Sequence, residues 1–222
     1  MKPISIVGDS ISTYAGYNPP NCAVFYDTAK QQANGLTSVR DTWWYRVTNH
    51  LGGRLCVNQS YSGCKVTGSG FPSASCEERL SQLHTNETSP ALILIYVGFN
   101  DFGAGVKIHK DDRPKQISDC FEDSYAAMLE TIRQFYPTAT VICGTLLQTF
   151  AKGHDNWQFP ETCAGIHIDR YNDTIRRLTH EKNVLLADLA ATHILYETLD
   201  GAHPTANGHQ TIADAWISCL KK

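Results

Sequence analysis

The longest apolar run of the chain is ALILIYV at residues 91–97, and the stretch GFND follows it at residues 98–101. A strand with one face in water would alternate apolar and polar side chains, and this run does not. A short, continuously apolar run is typical of a parallel strand that helices cover on both faces. It is also far too short to cross a membrane as a helix.

Similar apolar runs recur on both sides of this strand, separated by longer segments with helical spacing. The pattern predicts four more strands, at residues 4–7, 55–58, 140–146 and 184–187. It predicts helices at residues 41–51, 76–83, 118–135, 167–181 and 206–220, with Asp41 capping the first. Strands that alternate with helices form a parallel sheet through right-handed crossovers. The expected fold is one α/β domain over residues 1–222, a three-layer α/β/α arrangement.

Two long connections do not fit this alternation, residues 14–40 after the first strand and residues 148–165 after the fourth. Both follow the carboxyl end of a strand, where open α/β sheets bind ligands. Both are rich in aromatic residues: Tyr14, Tyr17, Phe25 and Tyr26 in the first, Phe150, Trp157 and Phe159 in the second. The sequence leaves two interpretations open, because these rings can either wall a pocket or only fix the loops to the sheet.

The composition excludes several classes of protein. Of the 222 residues, 42% are hydrophobic and 18% are charged, which indicates a globular chain that can bury a core. The net charge of −3 comes without a run of Lys or Arg, so nucleic acid is not an expected partner. Without an apolar stretch of spanning length, a membrane is not an expected partner either.

The chain start and the cysteines bear on its compartment. Met1-Lys2-Pro3 runs directly into the first strand, which leaves no room for a signal peptide before residue 8. We therefore expect a cytoplasmic protein, unless a leader has been removed. The eight cysteines form no C-x-x-C pair, which argues against a structural zinc site. In a reducing compartment most of them are expected to be free thiols.

Four short stretches follow predicted strands or precede the last helix: GDSI at residues 8–11, NQSYSG at 58–63, GFND at 98–101 and DGAHP at 200–204. They are expected to meet at one edge of the sheet, since the carboxyl ends of parallel strands lie together there. Acyl transfer needs a nucleophile, a base, a group that orients the base, and donors for the developing oxyanion. The four stretches contain a candidate for each role.

Ser10 is the candidate nucleophile and His203 the candidate base, and Asp200 can reach the imidazole within a tight turn. Asn100 offers a neutral side-chain donor, and Gly63 lets backbone N–H groups approach a ligand. Each residue taken alone also has an ordinary interpretation as a turn, capping or surface residue. Their joint occurrence, in the order and strand positions that one site needs, favours a catalytic site.

Together the four stretches resemble the SGNH or GDSL-type esterase and acylhydrolase family, whose name gives the residue types that match Ser10, Gly63, Asn100 and His203. The resemblance extends from residue 8 to residue 204. It implies a flavodoxin-like fold with a five-stranded parallel sheet. It also implies an oxyanion hole formed by the backbone N–H groups of Ser10 and Gly63 and the side chain of Asn100, with no metal and no cofactor.

Two departures from the family pattern concern packing and turn shape, namely Ile11 for the usual Leu and Ser60 for a common Gly. The resemblance implies a serine ester hydrolase that forms an acyl-enzyme on Ser10. By family analogy and from the aromatic loops, the substrate is expected to be a small-molecule or carbohydrate ester with a small acyl group, above all acetyl. The alternatives are a lysophospholipase or thioesterase, a sugar O-acyltransferase, and a non-catalytic carbohydrate-binding domain. The sequence leaves the oligomeric state open.

Overall fold

The computed structural model of the protein describes residues 1–109 and 120–221. Its strands, numbered in chain order, are β1 Lys2–Gly8, β2 Gly53–Ser60, β3 Leu92–Tyr96, β4 Thr140–Gly144, β5 Thr149–Ala151, β6 Thr162–Cys163, β7 Ile166–His167, β8 Leu185–Ala187 and β9 Tyr196–Thr198. Its α-helices are α1 Thr28–Ala33, α2 Trp43–His50, α3 Glu77–Leu80, α4 Phe99–Gly103, α5 Phe121–Phe135, α6 Ile168–Glu181 and α7 Ala206–Leu220. α-Helices separate β1, β2, β3, β4 and β8 along the chain, as the connections of a parallel sheet require.

Five strands form one all-parallel sheet in the order β2-β1-β3-β4-β8. The register pairs Gly8, the last residue of β1, with Ser60 of β2 and with Tyr96 of β3. The segments that follow these three strands therefore leave the sheet from one edge. The predicted three-layer α/β/α fold with a five-stranded parallel sheet is confirmed, and the strand order reverses beside β1, where such sheets bind ligands.

Two buried tryptophans join α2 and α7 into one helical layer. Trp43 of α2 stacks on Trp216 of α7 with ring centroids 5.3 Å apart, and neither ring is exposed. Gly144 at the end of β4 makes room for this pair, because a Cβ there would lie 2.6 Å from the Trp216 ring. In the other layer α5 packs on α6, where the rings of Phe121 and Tyr171 lie 4.9 Å apart. The predicted core elements thus occupy both faces of the sheet.

The structure corrects the prediction at several helix ends. Asp41 does not cap α2; it belongs to a short 3₁₀ turn, and its carboxylate accepts from the backbone N–H groups of Thr37 and Ser38 instead. Thr42 caps the helix, with its side-chain oxygen accepting from the N–H of Tyr45. The helix predicted at residues 76–83 is reduced to α3. The helix predicted at 118–135 is described from Phe121 onward, and residues 118–119 lie outside the described residues.

Several short elements carried no sequence signal. These are α1, α4, the parallel pair β5–β9 and the antiparallel pair β6–β7. Each has six residues or fewer, which is too short for a hydrophobic period to be recognised. Over residues 1–109 and 120–221, no helix is both long and apolar enough to cross a membrane.

Candidate active site

Ser10 stands in the first turn after β1. Asp9 caps this 3₁₀ turn, and its carboxylate accepts a 3.0 Å hydrogen bond from the backbone N–H of Ile11. Gly8 is required here by space, because a Cβ at this position would lie 2.5 Å from the hydroxyl oxygen of Ser12. Ser10 itself is 6% exposed. The end of β1 therefore presents one partly accessible hydroxyl at the carboxyl edge of the sheet.

Ser10, His203 and Asp200 form one continuous hydrogen-bonded row. Oγ of Ser10 lies 2.9 Å from Nε2 of His203, and Nδ1 of His203 lies 2.8 Å from Oδ2 of Asp200. An ionised carboxylate can only accept, so Nδ1 of a neutral imidazole carries the proton and Nε2 accepts from the serine hydroxyl. The histidine is therefore held in the tautomer that a general base needs.

The loop before α7 holds the carboxylate of Asp200 in place. Oδ1 of Asp200 accepts from the backbone N–H groups of Ala202 at 3.0 Å and His203 at 2.8 Å. Gly201 between them has a φ of +85°, which glycine adopts without strain. Partial burial alone would raise the pKa of Asp200, but hydrogen bonds from the His203 side chain and from the two amides outweigh it and hold the pKa well below its usual range. Asp200 is therefore ionised throughout the pH range in which histidine acts as a base.

Gly63 and Asn100, which are predicted to supply oxyanion donors, are linked through Cys64. Nδ2 of Asn100 donates a 2.8 Å hydrogen bond to the carbonyl oxygen of Cys64, the residue that directly follows Gly63. This bond uses one of two amide hydrogens, so the other can be donated to a ligand. Gly63 has a φ of +77°, in the left-handed region that favours glycine. The structure thus brings the second and third motifs into one unit.

Asp101 fixes the segment that follows Gly63, and its sequence context gave it no such role. Its buried carboxylate accepts from the backbone N–H of Val66 at 2.7 Å and of Thr67 at 3.1 Å, and from the Thr67 hydroxyl at 2.9 Å. Burial raises the pKa of Asp101, although these hydrogen bonds oppose the rise. Because Asp101 adjoins Asn100, it locks α4 to the turn that carries Gly63. The only sign of this role in the sequence was that an acidic residue directly follows Asn100, a candidate oxyanion donor.

Arg79 is a second residue whose role the sequence did not indicate. It is only 1% exposed, and its guanidinium bridges the ends of β1 and β2. Nε donates to the carbonyl oxygen of Gln59 at 2.9 Å, Nη1 to that of Pro72 at 2.8 Å, and Nη2 to that of Gly8 at 2.5 Å. These bonds fix the strand ends from which the first two motifs start. Arg79 lies in a four-residue helix, where no periodic pattern could predict its burial.

Both aromatic-rich connections reach the row of Ser10, His203 and Asp200. Phe25 stacks on the imidazole of His203, with ring centroids 3.4 Å apart and ring planes at 6°. Trp157 covers Gly201, where a Cβ would lie 2.8 Å from the indole. Tyr26, in contrast, is fully buried. Phe25 and Trp157 therefore act as walls of the site, whereas Tyr26 serves to fix its loop to the rest of the structure.

An open cavity of about 540 Å³ lies between α4 and the loop that carries Asp200. Asn100 and Asp200 are part of its wall, together with four aromatic residues: Phe99, Phe102, Trp157 and Phe159. These rings form a connected cluster, with neighbouring centroids 5.7 to 6.3 Å apart. The volume lies within the range of small-molecule sites. The cavity can hold a sugar-sized ring next to the candidate donors.

The described residues offer no metal centre to this site, because no three His, Cys, Asp or Glu side chains within 1–109 and 120–221 are grouped to bind an ion. Cys64 beside the site is also not a second nucleophile. Burial raises the pKa of the Cys64 thiol to about 11, despite the nearby guanidinium of Arg79. The thiol therefore stays protonated and serves packing.

Asp9 links the site to the pH dependence of stability. Burial raises the pKa of its carboxyl to about 6, although the hydrogen bond from Ile11 and the charges of His203 and Arg79 lower it. An unfolded Asp titrates near 3.9, so folding favours the protonated form of Asp9. This stabilisation is complete below about pH 4 and is lost as the pH rises through about 6. At neutral pH the ionised Asp9 costs about 3 kcal/mol at 1.36 kcal/mol per pKa unit.

Asp9→Asn should therefore stabilise the protein in a pH-dependent way. The amide oxygen can still accept from the N–H of Ile11 but carries no charge to desolvate. We expect the free energy of unfolding to rise by up to about 3 kcal/mol at pH 8 and to change little at pH 4. Urea denaturation of both proteins at the two pH values measures this. An equal change at both values would show that desolvation of the charge is not the cause.

The fold and the positions of the four motifs place the chain in the SGNH class of hydrolases. It belongs to the GDSL-like lipase/acylhydrolase family, whose sequence profile matches residues 2–168. The match includes Ser10, Gly63 and Asn100 and ends before Asp200 and His203. The last motif is connected to the first by the hydrogen bonds of His203 to Ser10 and to Asp200. No curated protein matches the sequence.

Several solved structures share the fold. A protein from Bacteroides ovatus described as a GDSL-like lipase has 24% sequence identity and a TM-score of 0.75, covering 100% of this chain and 98% of its own. One from Bacteroides uniformis with the same description has 26% identity and a TM-score of 0.73, covering 100% and 96%. A carbohydrate esterase family 2 enzyme with a carbohydrate-binding domain, from Corynascus thermopiles, has 20% identity and a TM-score of 0.59, covering 100% and 67%.

Proposed function

We propose that the protein is a serine esterase that removes small acyl groups, above all acetyl, from a carbohydrate or another small-molecule ester. The observation that carries the proposal is the hydrogen-bonded row of Ser10, His203 and Asp200. A hydroxyl, an imidazole and a carboxylate in this order serve acyl transfer, whereas a pure binding domain does not need them. Family membership supports ester hydrolysis, and a solved relative of the same fold is a carbohydrate esterase.

The first half of the reaction follows from the tautomer of His203. Nε2 accepts the proton of the Ser10 hydroxyl as Oγ attacks the ester carbonyl carbon. The imidazolium that forms is stabilised by the ionised Asp200, which remains unprotonated. When the tetrahedral intermediate collapses, the bond to the alcohol oxygen breaks and Nε2 returns the proton to that oxygen. The alcohol leaves, and the acyl group stays on Ser10.

The second half uses the same groups in reverse. Nε2 of His203 takes a proton from water while the water oxygen attacks the acyl carbonyl carbon. Collapse of the second intermediate breaks the bond to Oγ, and the proton returns to Ser10. The products are the free acid and the regenerated serine, so no cofactor is consumed.

The negative charge of each intermediate needs donors near Ser10. We assign this role to the backbone N–H groups of Ser10 and Gly63 and to Nδ2 of Asn100. The bond from Asn100 to the carbonyl oxygen of Cys64 fixes its amide plane before substrate binds. Preorganised donors of this kind need no rearrangement when the charge develops, which is why they lower the barrier.

The surroundings of the row favour a short acyl group and a ring-shaped alcohol. Phe25 stacks on His203 and Trp157 lies over Gly201, and we propose that these two rings limit the space open to an acyl chain. The cavity beside Asn100 and Asp200 offers flat aromatic faces and about 540 Å³, far more than an acetyl group fills. We therefore place the alcohol part of the substrate in this cavity and the acyl group over Ser10.

Short p-nitrophenyl esters should accordingly be hydrolysed better than long ones. We expect kcat/KM to be highest for acetate or butyrate and to fall at acyl chains of about eight carbons or more. A chain longer than the space over Ser10 has to displace the surrounding rings, and a chain left in water gains none of the about 0.8 kcal/mol that each buried CH₂ gives. The measurement is kcat/KM for acetate, butyrate, octanoate and palmitate at one pH. A value that rises toward octanoate would favour a lysophospholipase-type or thioesterase-type enzyme instead.

The same assay separates hydrolysis from its two alternatives. A carbohydrate-binding domain would release no p-nitrophenol from any ester in the series. An acyltransferase would release it faster when a sugar acceptor is added, and would form an acyl sugar. A hydrolase should form free acid at a rate that the acceptor does not change.

A further inference from the structure

The imidazole of His203 is held by hydrogen bonds only within its own plane. Nδ1 is bonded to Asp200 and Nε2 to Ser10, and the N–H and lone-pair directions of both nitrogens lie in the ring plane. Two in-plane bonds of this kind give the ring no contact on either face that would oppose a tilt. A tilt turns the Nε2 lone pair out of line with the serine hydroxyl and weakens both bonds, because hydrogen bonds require good alignment.

Phe25 lies against the face of the ring that these bonds leave free. The two rings are stacked and nearly parallel, with planes at 6° and centroids 3.4 Å apart. This contact opposes any tilt of the imidazole toward Phe25. It also places an aromatic face, which is negative, against a ring that becomes positive during the reaction. The ammonium of Lys30 lies 5.2 Å from the centroid of the Phe25 ring, a cation–π contact that helps to hold Phe25 in place.

Phe25 is itself fixed to the segment that carries Ser10. Its backbone N–H donates to the Thr13 hydroxyl oxygen at 3.0 Å, and that hydroxyl donates to the carbonyl oxygen of Ser10 at 2.9 Å. In the same stretch the carbonyl oxygen of Tyr26 accepts from the N–H of Ala15 at 3.1 Å. The position of Phe25 is therefore set relative to the nucleophile.

Tyr26 fixes the same segment to the loop that carries the base. Its ring is fully buried and packs edge-on against Phe25, with centroids 4.9 Å apart. Its hydroxyl donates a 2.7 Å hydrogen bond to the carbonyl oxygen of Pro204, the neighbour of His203. The pair of Phe25 and Tyr26 thus contacts His203 and Pro204 directly and is connected to Ser10 through the Thr13 hydroxyl, although Ser10 and His203 are far apart in sequence.

We infer that Phe25 is a positioning residue for the general base, holding the His203 ring in the plane in which Nε2 faces Ser10, with Tyr26 as its anchor. The inference rests on the proposed esterase function of the site. Phe25 acts through His203 and takes no part in bond making. It gives the first aromatic connection a function beyond that of a pocket wall.

Phe25→Leu tests this, because leucine keeps apolar bulk but has no flat face. We expect kcat on p-nitrophenyl acetate to fall about tenfold with KM within twofold, the pattern of a misplaced catalytic group. Phe25→Tyr, which restores the flat face, should keep kcat within about threefold of the unmodified protein. The matched control is Phe135→Leu, an exposed aromatic at the end of α5, which should change neither parameter. Thermal unfolding checks that all variants fold.

A spectroscopic readout tests the stacking contact itself, while the split between kcat and KM and the rescue by Phe25→Tyr test positioning. A stacked phenyl ring shifts the carbon-bound protons of the His203 ring upfield in the NMR spectrum, and the His203→Ala spectrum identifies these signals. Phe25→Leu should move them downfield, Phe25→Tyr should restore them, and Phe135→Leu should leave them in place. Tyr26→Phe, which removes only the bond to Pro204, should lower kcat in the same direction as Phe25→Leu.

Two results would overturn the inference. These are unchanged His203 signals in Phe25→Leu and unchanged kcat in Phe25→Leu, and a raised KM in the second case would make Phe25 a substrate contact. Failure of the proposed function is distinguishable, because the unmodified protein would then hydrolyse no ester. In that case the NMR comparison still shows whether Phe25 stacks on the His203 ring.

Discussion

Replacing Ser10 with alanine should reduce ester hydrolysis by about 10⁴–10⁶-fold, the range found when one member of such a row is removed. The reason is that Ser10→Ala deletes the atom to which the acyl group is transferred. The nearby Cys64 cannot take over, since burial raises the pKa of its thiol to about 11. Measuring kcat/KM on p-nitrophenyl acetate with purified variant tests this.

The fold should survive this substitution. Oγ of Ser10 contacts Nε2 of His203, while the turn itself is held by backbone bonds from Ser12 to Asp9 and from Thr13 to Ser10. We expect the melting temperature to change by no more than about 4 °C, because one such hydrogen bond contributes about 0.5–1 kcal/mol. Normal turnover by a folded Ser10→Ala protein would refute the acyl-enzyme mechanism.

His203→Ala should cost about as much as Ser10→Ala, because an unactivated serine hydroxyl is a weak nucleophile. The double variant should be no slower than either single variant, since the members of the row act as a unit. This non-additivity is the sharper test. Two losses that multiply would show that Ser10 and His203 work independently, whatever the 2.9 Å distance between Oγ and Nε2.

The sheet could be predicted from the sequence because each of its strands is a short apolar run. The run at residues 91–97 became β3, and its central residues are buried on both faces. The short elements could not be predicted, because nothing local determines them. β5 and β9 have three residues each and form a parallel pair only because the fold brings residues 149–151 and 196–198 together.

The site was predictable to the extent that its residues lie in short motifs. Ser10, Gly63, Asn100, Asp200 and His203 were identified from sequence, and the structure places Ser10, His203 and Asp200 in one row and Gly63 beside Asn100.

The supporting residues were not predictable, since their roles depend on tertiary contacts. Phe25 was one aromatic among several in a long loop, and only the folded chain shows that it stacks on the base. Arg79 and Asp101 are buried charges, which sequence patterns assign to the surface.

Asn100→Ala should lower kcat by about 10²–10³, the usual effect of removing one oxyanion donor. KM should change little, because the amide makes its strongest bond to the charge of the transition state and not to the neutral ester. The substitution also removes the bond to the carbonyl oxygen of Cys64, so part of the loss could come from a loosened turn. The measurement is therefore kcat and KM together, beside a control that loosens the same turn.

Thr67→Val is that control, because it removes one bond to the Asp101 carboxylate, which locks the turn, and leaves Asn100 in place. Its kcat should fall much less than that of Asn100→Ala.

Asn100→Asp sharpens the test further, since it keeps the shape of the side chain but turns a donor toward the oxyanion into a negative charge. If electrostatic stabilisation is the role of Asn100, the aspartate variant should be at least as slow as the alanine variant, because like charges repel where the charge develops. A raised KM with normal kcat in Asn100→Ala would instead make Asn100 a residue that binds the ground state of the substrate.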